Sequence, residues 1–289
     1  MSLGRQSALE LEAMDTAVPT TVIEPSRGWS ALGLRELWHR RELLYFLVSR
    51  EIQGTHRQTA LGLSWIFLRP VIHMALLSLV FGRVVRVPSD GVPYPLFALA
   101  ALLPWMFFSN AVTKGSRSLV DNLHLISKVY FPRMMIPVAG AASGLIDFLA
   151  SLLVLFGVMA YYGMPLRWEM LLVPLLLLLT FGFALAVSLW LATLSVKYRD
   201  VSFAVGFLLQ AMLYASPVIY PVSLVPASAQ FLYQLNPMSA IIQGFRWALL
   251  GSGAAPGLTF WLATLVVGAA LVSGAFIFRR TERTVVDIL

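Results

Sequence analysis

Cysteine is absent from this sequence and charge is scarce. With no thiol in 289 residues, disulfide stapling and thiolate metal ligation are both excluded. Charged side chains make up 12% of the chain, against about 25% in an ordinary soluble domain. The four histidines, His39, His56, His73 and His124, form no HExxH or HxxxH pair, so no metal site is expected. A phosphate loop of the form GxxxxGKS or GxxxxGKT is missing as well, so the chain is not expected to hydrolyse ATP by itself. Nor do polar residues cluster as in an enzyme, and no catalytic residue is assigned.

What is abundant is apolar surface. Hydrophobic residues make up 58% of the chain, and the mean hydropathy is +0.79. A chain this poor in polar surface has the bilayer as its natural solvent, which sets aside soluble enzymes, disordered proteins and secreted disulfide scaffolds. The net charge is +7. On so hydrophobic a chain this reads as basic loops at the cytoplasmic membrane face, and no nucleic acid partner is expected.

Residues 1–33 read as a flexible cytoplasmic tail, polar and turn-rich with Pro19, Pro25 and Gly28, and without the apolar core of a signal peptide. The stretch 34–56 reads as an amphipathic interface helix. Its apolar stripe is Leu34, Leu37, Trp38, Leu44, Tyr45, Val48 and Ile52, with Arg35, His39, Glu42, Ser49 and Arg50 opposite. It is too polar to span a bilayer and is expected to lie on the membrane surface, the alternative being a soluble helix packed on a partner. Residues 57–289 form the transmembrane domain. Six apolar stretches reach the length a bilayer core demands, near 63–85, 94–115, 134–162, 168–196, 201–220 and 257–278. The third carries Pro137 and Gly140 near its start and is expected to be tilted or broken. The expected fold class is an all-α integral membrane protein with six transmembrane helices. With the N-terminus inside, sixteen of the 21 basic residues lie on the cytoplasmic side and four on the outer side, so both termini are assigned to the cytoplasm.

Ionisable residues inside the spans are few: Arg69, with His73 one turn on, and Asp147. Carriers coupled to protons or sodium ordinarily need more buried acid than this, and no internal repeat is visible. Asp147 either lines an aqueous path or pairs with Arg69, whose position near the start of its span also allows snorkelling.

Three features stand out. In Ser116–Arg133, Leu119, Leu123, Ile126 and Tyr130 recur at helical spacing until Pro132 stops them. This is a cytoplasmic amphipathic helix with Tyr130 and Phe131 exposed, either docking a partner or lying in the headgroups. Between spans five and six, Pro221–Pro256 is too apolar for a free loop, and Asn236-Pro237 divides it into two short helices. Such pieces re-enter the membrane or anchor on the lipid surface. Trp65, Trp105, Phe107, Phe108, Tyr214 and Tyr220 lie in or at the ends of spans; they suit a sugar-slippery lining, interfacial belts or helix packing.

These segments, in this order, resemble the permease subunit of type-2 ABC exporters, and among them the O-antigen and related cell-surface polysaccharide export permeases. The resemblance rests on RELLYFLVSREI (Arg41–Ile52), HRQTALGLSWIFLRP (His56–Pro70), ISKVYFPRMMIP (Ile126–Pro137), VKYRDV (Val196–Val201), SPVIYPVSLVP (Ser216–Pro226) and LNPMSAIIQGFRWALLG (Leu235–Gly251). The family's Tyr-Lys pair is replaced by His56-Arg57. The resemblance implies a homodimer in the bacterial inner membrane, two copies of an ABC ATPase subunit beneath it, and a lipid-linked polysaccharide as cargo. ATP and Mg would be bound by the ATPase, and no cofactor is expected on this chain. It further implies an ATPase-coupling helix (Leu123, Ile126, Lys128, Tyr130, Phe131), an interface helix (Arg41, Tyr45, Arg50) and re-entrant periplasmic gate helices (Phe231, Asn236, Pro237, Phe245, Trp247). A substrate entrance and path is implied at Arg57, Trp65, Arg69, Trp105, Phe108 and Tyr214. Arg50, Arg57 and Arg69 are placed to attract a pyrophosphate, or else act as positive-inside anchors. Capsule and teichoic-acid exporters share this architecture, and a stand-alone channel and a membrane lipid-modifying enzyme are the readings from other classes.

Overall fold

The computed structural model describes residues 38–56, 62, 64–128, 131–198, 200–253 and 255–288. The expected tail, the start of the interface helix and the residues Arg57 and Tyr130 lie outside them, as does the Phe231 side chain. Among the described residues every regular element is helical. In chain order they are α1 (Arg41–His56), α2 (Ser64–Leu77, continued as a π-helical turn, Ser78–Val84), α3 (Tyr94–Asp121), α4 (Leu123–Lys128), α5 (Met135–Ala142) and α6 (Leu145–Tyr161). A 3₁₀ turn (Trp168–Leu172) then leads into α7 (Val173–Lys197), followed by α8 (Val201–Tyr214), α9 (Ala227–Leu235), α10 (Pro237–Leu250) and α11 (Leu258–Ile288).

Among the described residues five helices are long and apolar enough to cross a membrane: Ser64–Val84, Tyr94–Asp121, Met135–Tyr161, Trp168–Lys197 and Leu258–Glu282. The stretch read as a fifth span, 201–220, yields only the 14-residue α8. At 1.5 Å per residue that is about 21 Å, short of a bilayer core of about 30 Å. The helix stops because the chain turns at Ala215 and Pro217 follows, so residues 216–220 form turns packed against the protein.

Helix α3 is the centre of the fold, packing on α7, α5, α10, α6 and α2. Its inward residues are small at the tightest crossings: Ala98, Ala100, Ala101, Ala111 and Gly115 are buried, letting neighbouring backbones approach without a hydrophobic drive between helices. It runs on to Asp121, so Ser116–Asp121, expected to begin a separate amphipathic helix, are its last turns. The third span is broken, as expected, but at Ser143–Gly144 and not at Pro137. Pro137 sits in the first turn of α5, where its missing N–H removes no helical bond.

Candidate functional site

A cavity of about 440 Å³ opens between α2, α3, α6 and the end of α8. Its wall joins the residues that looked out of place in their spans. Arg69 and His73 come from α2, Asn110 and Thr113 from α3, and Asp147 and Ser151 from α6, with Trp105, Phe107 and Phe148 as the apolar part. Asn110 donates through Nδ2 to the Asp147 carboxylate at 3.3 Å. His73 Nδ1 donates to the Arg69 carbonyl at 2.9 Å, because a carbonyl can only accept. Thr113 and Ser151 return their hydroxyls to helix carbonyls four residues back, the usual way a lone hydroxyl is satisfied in a span. Just below, Lys114 Nζ donates to Ser143 Oγ at 2.9 Å, at the break between α5 and α6. The result is a polar recess between apolar helices, with one cation, one carboxylate, an imidazole and an indole wall.

At one end of the molecule, α1 lies along α5. Leu47 is its buried anchor, with Leu43, Leu44 and Val48 half-buried around it. Tyr45, expected within the apolar stripe, is 76% exposed, and Phe46 is exposed beside it. The guanidinium of Arg41 lies over the Trp38 ring, 5.9 Å from its centroid. Arg50 donates to the Asn122 side chain at the α3–α4 junction and pairs with Glu51 at 3.4 Å. On the other flank of α4, the Arg133 guanidinium donates to the Glu282 carbonyl at 2.6 Å, tying the segment before α5 to α11. Helix α4 is thus held from both sides, with Leu123 and Ile126 half-buried and Lys128 exposed.

At the opposite end, α9 and α10 are the two short helices expected from the Asn236-Pro237 break. The Asn236 side chain accepts from Met238 N at 3.0 Å and Pro237 takes the first helical position, so the dipeptide is a helix start. Asn236 also donates to Ser216 Oγ at 2.9 Å. Helix α10 is nearly all buried, packed on α3, α7 and α11, which a lipid-surface anchor would not be. Its Arg246, counted as an outer-loop charge, is 4% exposed. The guanidinium donates to the carbonyls of Phe97 (3.3 Å) and Val218 (2.9 Å) and stacks 3.4 Å from the Phe97 ring centroid. Burial pushes its pKa down to about 9, with the Asp90 carboxylate pulling the other way, and it stays charged at neutral pH.

The sequence pattern described as "ABC-2 type transporter" matches residues 42–250. That stretch runs from the interface helix through the cavity to the end of α10.

The chain belongs to the ABC-2 type transporter family.

Among its relatives, the "O-antigen export system permease protein RfbA" of Myxococcus xanthus is 33% identical over 216 residues, 74% of this chain and 82% of the relative. A protein of the same description from Klebsiella pneumoniae is 25% identical over 207 residues, 71% of this chain and 79% of the relative. The "Polysialic acid transport protein KpsM" of Escherichia coli is 23% identical over 243 residues, 78% of this chain and 90% of the relative.

Within this permease the candidate residues separate into those that reach a surface and those that do not. Arg69 and Trp105 line the cavity, and Trp65 lies near the start of α2, half-buried. Phe108 does not line it: it is 3% exposed and stacks on Phe183 of α7, 5.0 Å between ring centroids. Tyr214 is exposed at the end of α8, its carbonyl accepting from the Tyr220 hydroxyl at 2.6 Å. Phe245 is fully buried against Phe148, and Trp247 packs on the same core. Phe131, expected as an exposed docking aromatic, is 5% exposed and shares a core cluster with Leu47 and Phe278. Asn110 was missed, although an amide inside an apolar span is itself a signal; Asn122, at the α3–α4 junction, carried none.

Removing the amide in Asn236→Ala is expected to lower stability by about 1 kcal/mol, the usual worth of an N-cap. The melting temperature of the purified permease should fall by about 2–4 °C. An unchanged melting curve would show that the cap does not hold α10.

Proposed function

We propose that this permease is the membrane half of an ATP-driven exporter that moves a lipid-linked polysaccharide of the O-antigen kind outward across the bacterial inner membrane. The observation that carries the reading is the unbroken family match over residues 42–250, combined with relatives described as O-antigen export permeases. Polysialic acid transport in a further relative makes a capsular glycan the second reading.

In this reading the tail and α1 are cytoplasmic, both termini face inward, and the chain passes the membrane six times, α8 with the turns after it making the fifth pass. Helices α9 and α10 re-enter from the periplasmic side as a gate. Two copies pair, and two ATPase subunits dock on α4 and supply bound ATP and Mg, since the sequence has no phosphate loop. Helices α2 and α8 support the pairing: α8 buries only Val205 and leaves Phe203 and Phe207 exposed, and most of α2 is also bare. A second copy against these faces would close the cavity into a shared path. Arg69 and His73 then meet the anionic phosphate of the carrier, and Trp105 offers a flat face to sugar rings. Nucleotide binding biases the pair between inward and outward states by its differential affinity for them.

Deleting this chain from its host is expected to strip the surface polysaccharide and leave the lipid-linked polymer inside. Restoration should require both this chain and an ATPase with an intact phosphate loop. Unchanged surface glycan after deletion, or transport by the purified chain without an ATPase, overturns the reading.

A further inference from the structure

A second cavity, of about 210 Å³, lies at the end of the molecule opposite α4. Its wall is assembled from separate parts of the chain: Asp90 from the α2–α3 connection, Ser223 from the 3₁₀ turn Val222–Leu224, Gln243 and Arg246 from α10, and Ser252 just beyond it. Two of these are deeply buried and incompletely satisfied. Arg246 uses Nε and Nη2 on the Phe97 and Val218 carbonyls, and its Nη1 donors have no partner among the described residues. Ser252 is 6% exposed, and its hydroxyl likewise has none among them. A buried polar group without a partner costs about 1–3 kcal/mol, so the Ser252 hydroxyl calls for a ligand, and the Nη1 donors of Arg246 stand on the same wall to meet it.

The chemistry of the wall selects the class of ligand. Arg246 supplies fixed donors, and Ser252 can donate or accept. Asp90 accepts: its carboxylate takes a bond from Ser223 Oγ at 3.4 Å and has further lone pairs to offer. An anion entering here meets the Asp90 carboxylate, and a cation meets the Arg246 guanidinium. A neutral polyol meets neither penalty, because each of its hydroxyls both donates and accepts. The volume is that of about seven waters at ~30 Å³ each, room for one ring and not for a chain.

We infer that Asp90, Arg246 and Ser252 form a subsite for one uncharged sugar ring of the exported glycan, on the outer side of the membrane. The placement outside rests on the exporter reading above. The subsite would hold a sugar unit leaving the path while the gate helix closes over it, since Arg246 belongs to both the subsite and α10.

The test uses the full chain in lipid nanodiscs and saturation-transfer NMR with the methyl glycosides of glucose, mannose and galactose. At least one glycoside is expected to receive saturation and to resist competition by inorganic phosphate. Ser252→Ala and Asp90→Asn should each weaken it about fivefold, what one lost hydrogen bond is worth, with the melting temperature unchanged. Absence of signal from all three glycosides, wild-type signal in both variants, or displacement by phosphate each overturns the subsite. Export in cells is scored separately: ATPase-dependent export without a glycoside signal removes the subsite and leaves the exporter, whereas loss of ATPase dependence removes the exporter reading itself.

Discussion

Replacing Gly115 with leucine is expected to prevent the permease from accumulating as a folded protein. Gly115 lies where α3 crosses α7, the most extensive helix contact in the molecule. A Cβ built there would collide with the Ser188 side chain, and Ser188 Cα is only 3.7 Å away. Ser188 has no room to retreat, because its hydroxyl is itself buried against the Ala111 carbonyl at 3.3 Å. Overpacking a close contact ordinarily costs about 1–3 kcal/mol, and a leucine at a backbone-to-backbone crossing belongs at or above the top of that range. The measurement is the yield of monodisperse protein and its unfolding in denaturing detergent. A paired exchange separates crowding from any other cause: Gly115→Ala alone should destabilise, and Gly115→Ala with Ser188→Gly should recover most of the loss. Wild-type stability in Gly115→Leu would mean that α3 and α7 do not meet here.

Charge reversal on α4 should have the other large effect, and of a different kind. Lys128→Glu with Leu123→Asp alters the exposed and half-exposed side of a helix held in place by Arg50–Asn122 and Arg133–Glu282. If α4 is the ATPase dock, the ATPase should no longer co-purify and surface polysaccharide should fall at least about tenfold, the effect of losing ~1.4 kcal/mol of coupling. The melting temperature should stay close to wild type. Phe131→Ala is the contrasting variant: emptying a side chain that is 5% exposed in a core cluster should cost about 3–5 kcal/mol of stability. Co-purification that survives the α4 double variant would place the dock elsewhere.

The spans were legible because a bilayer imposes one crude demand, about 20 apolar residues in a row. The long helices are therefore found close to where composition put them. Asn236-Pro237 was legible for a local reason: a cap and a first-turn proline act within one turn of helix. What stayed hidden depends on distant neighbours. Helical periodicity gives Phe131 a face, but only packing with Leu47 and Phe278 shows that the face is inward. The continuation of α3 through Arg117 to Asp121 was read as the start of a separate surface helix because charges mark the edge of the hydrocarbon, and a helix can outrun it. The cavity follows the same division. Arg69 and Asp147 were visible as misplaced charges, while their sharing one wall with Asn110 required the fold.

Arg246 places a constraint on the order in which the protein is made. Its acceptor at Phe97 is synthesised 149 residues earlier, about 7–30 seconds ahead at ordinary translation rates. Throughout that interval the N-terminal end of α3 lacks the guanidinium that later bridges it to the Val218 turn. Docking of α10 therefore strips a charge of its water in one late step, favourable only when both carbonyls are already in position. A nascent chain that stops before α10 leaves that end of α3 without its bridge to the Val218 turn.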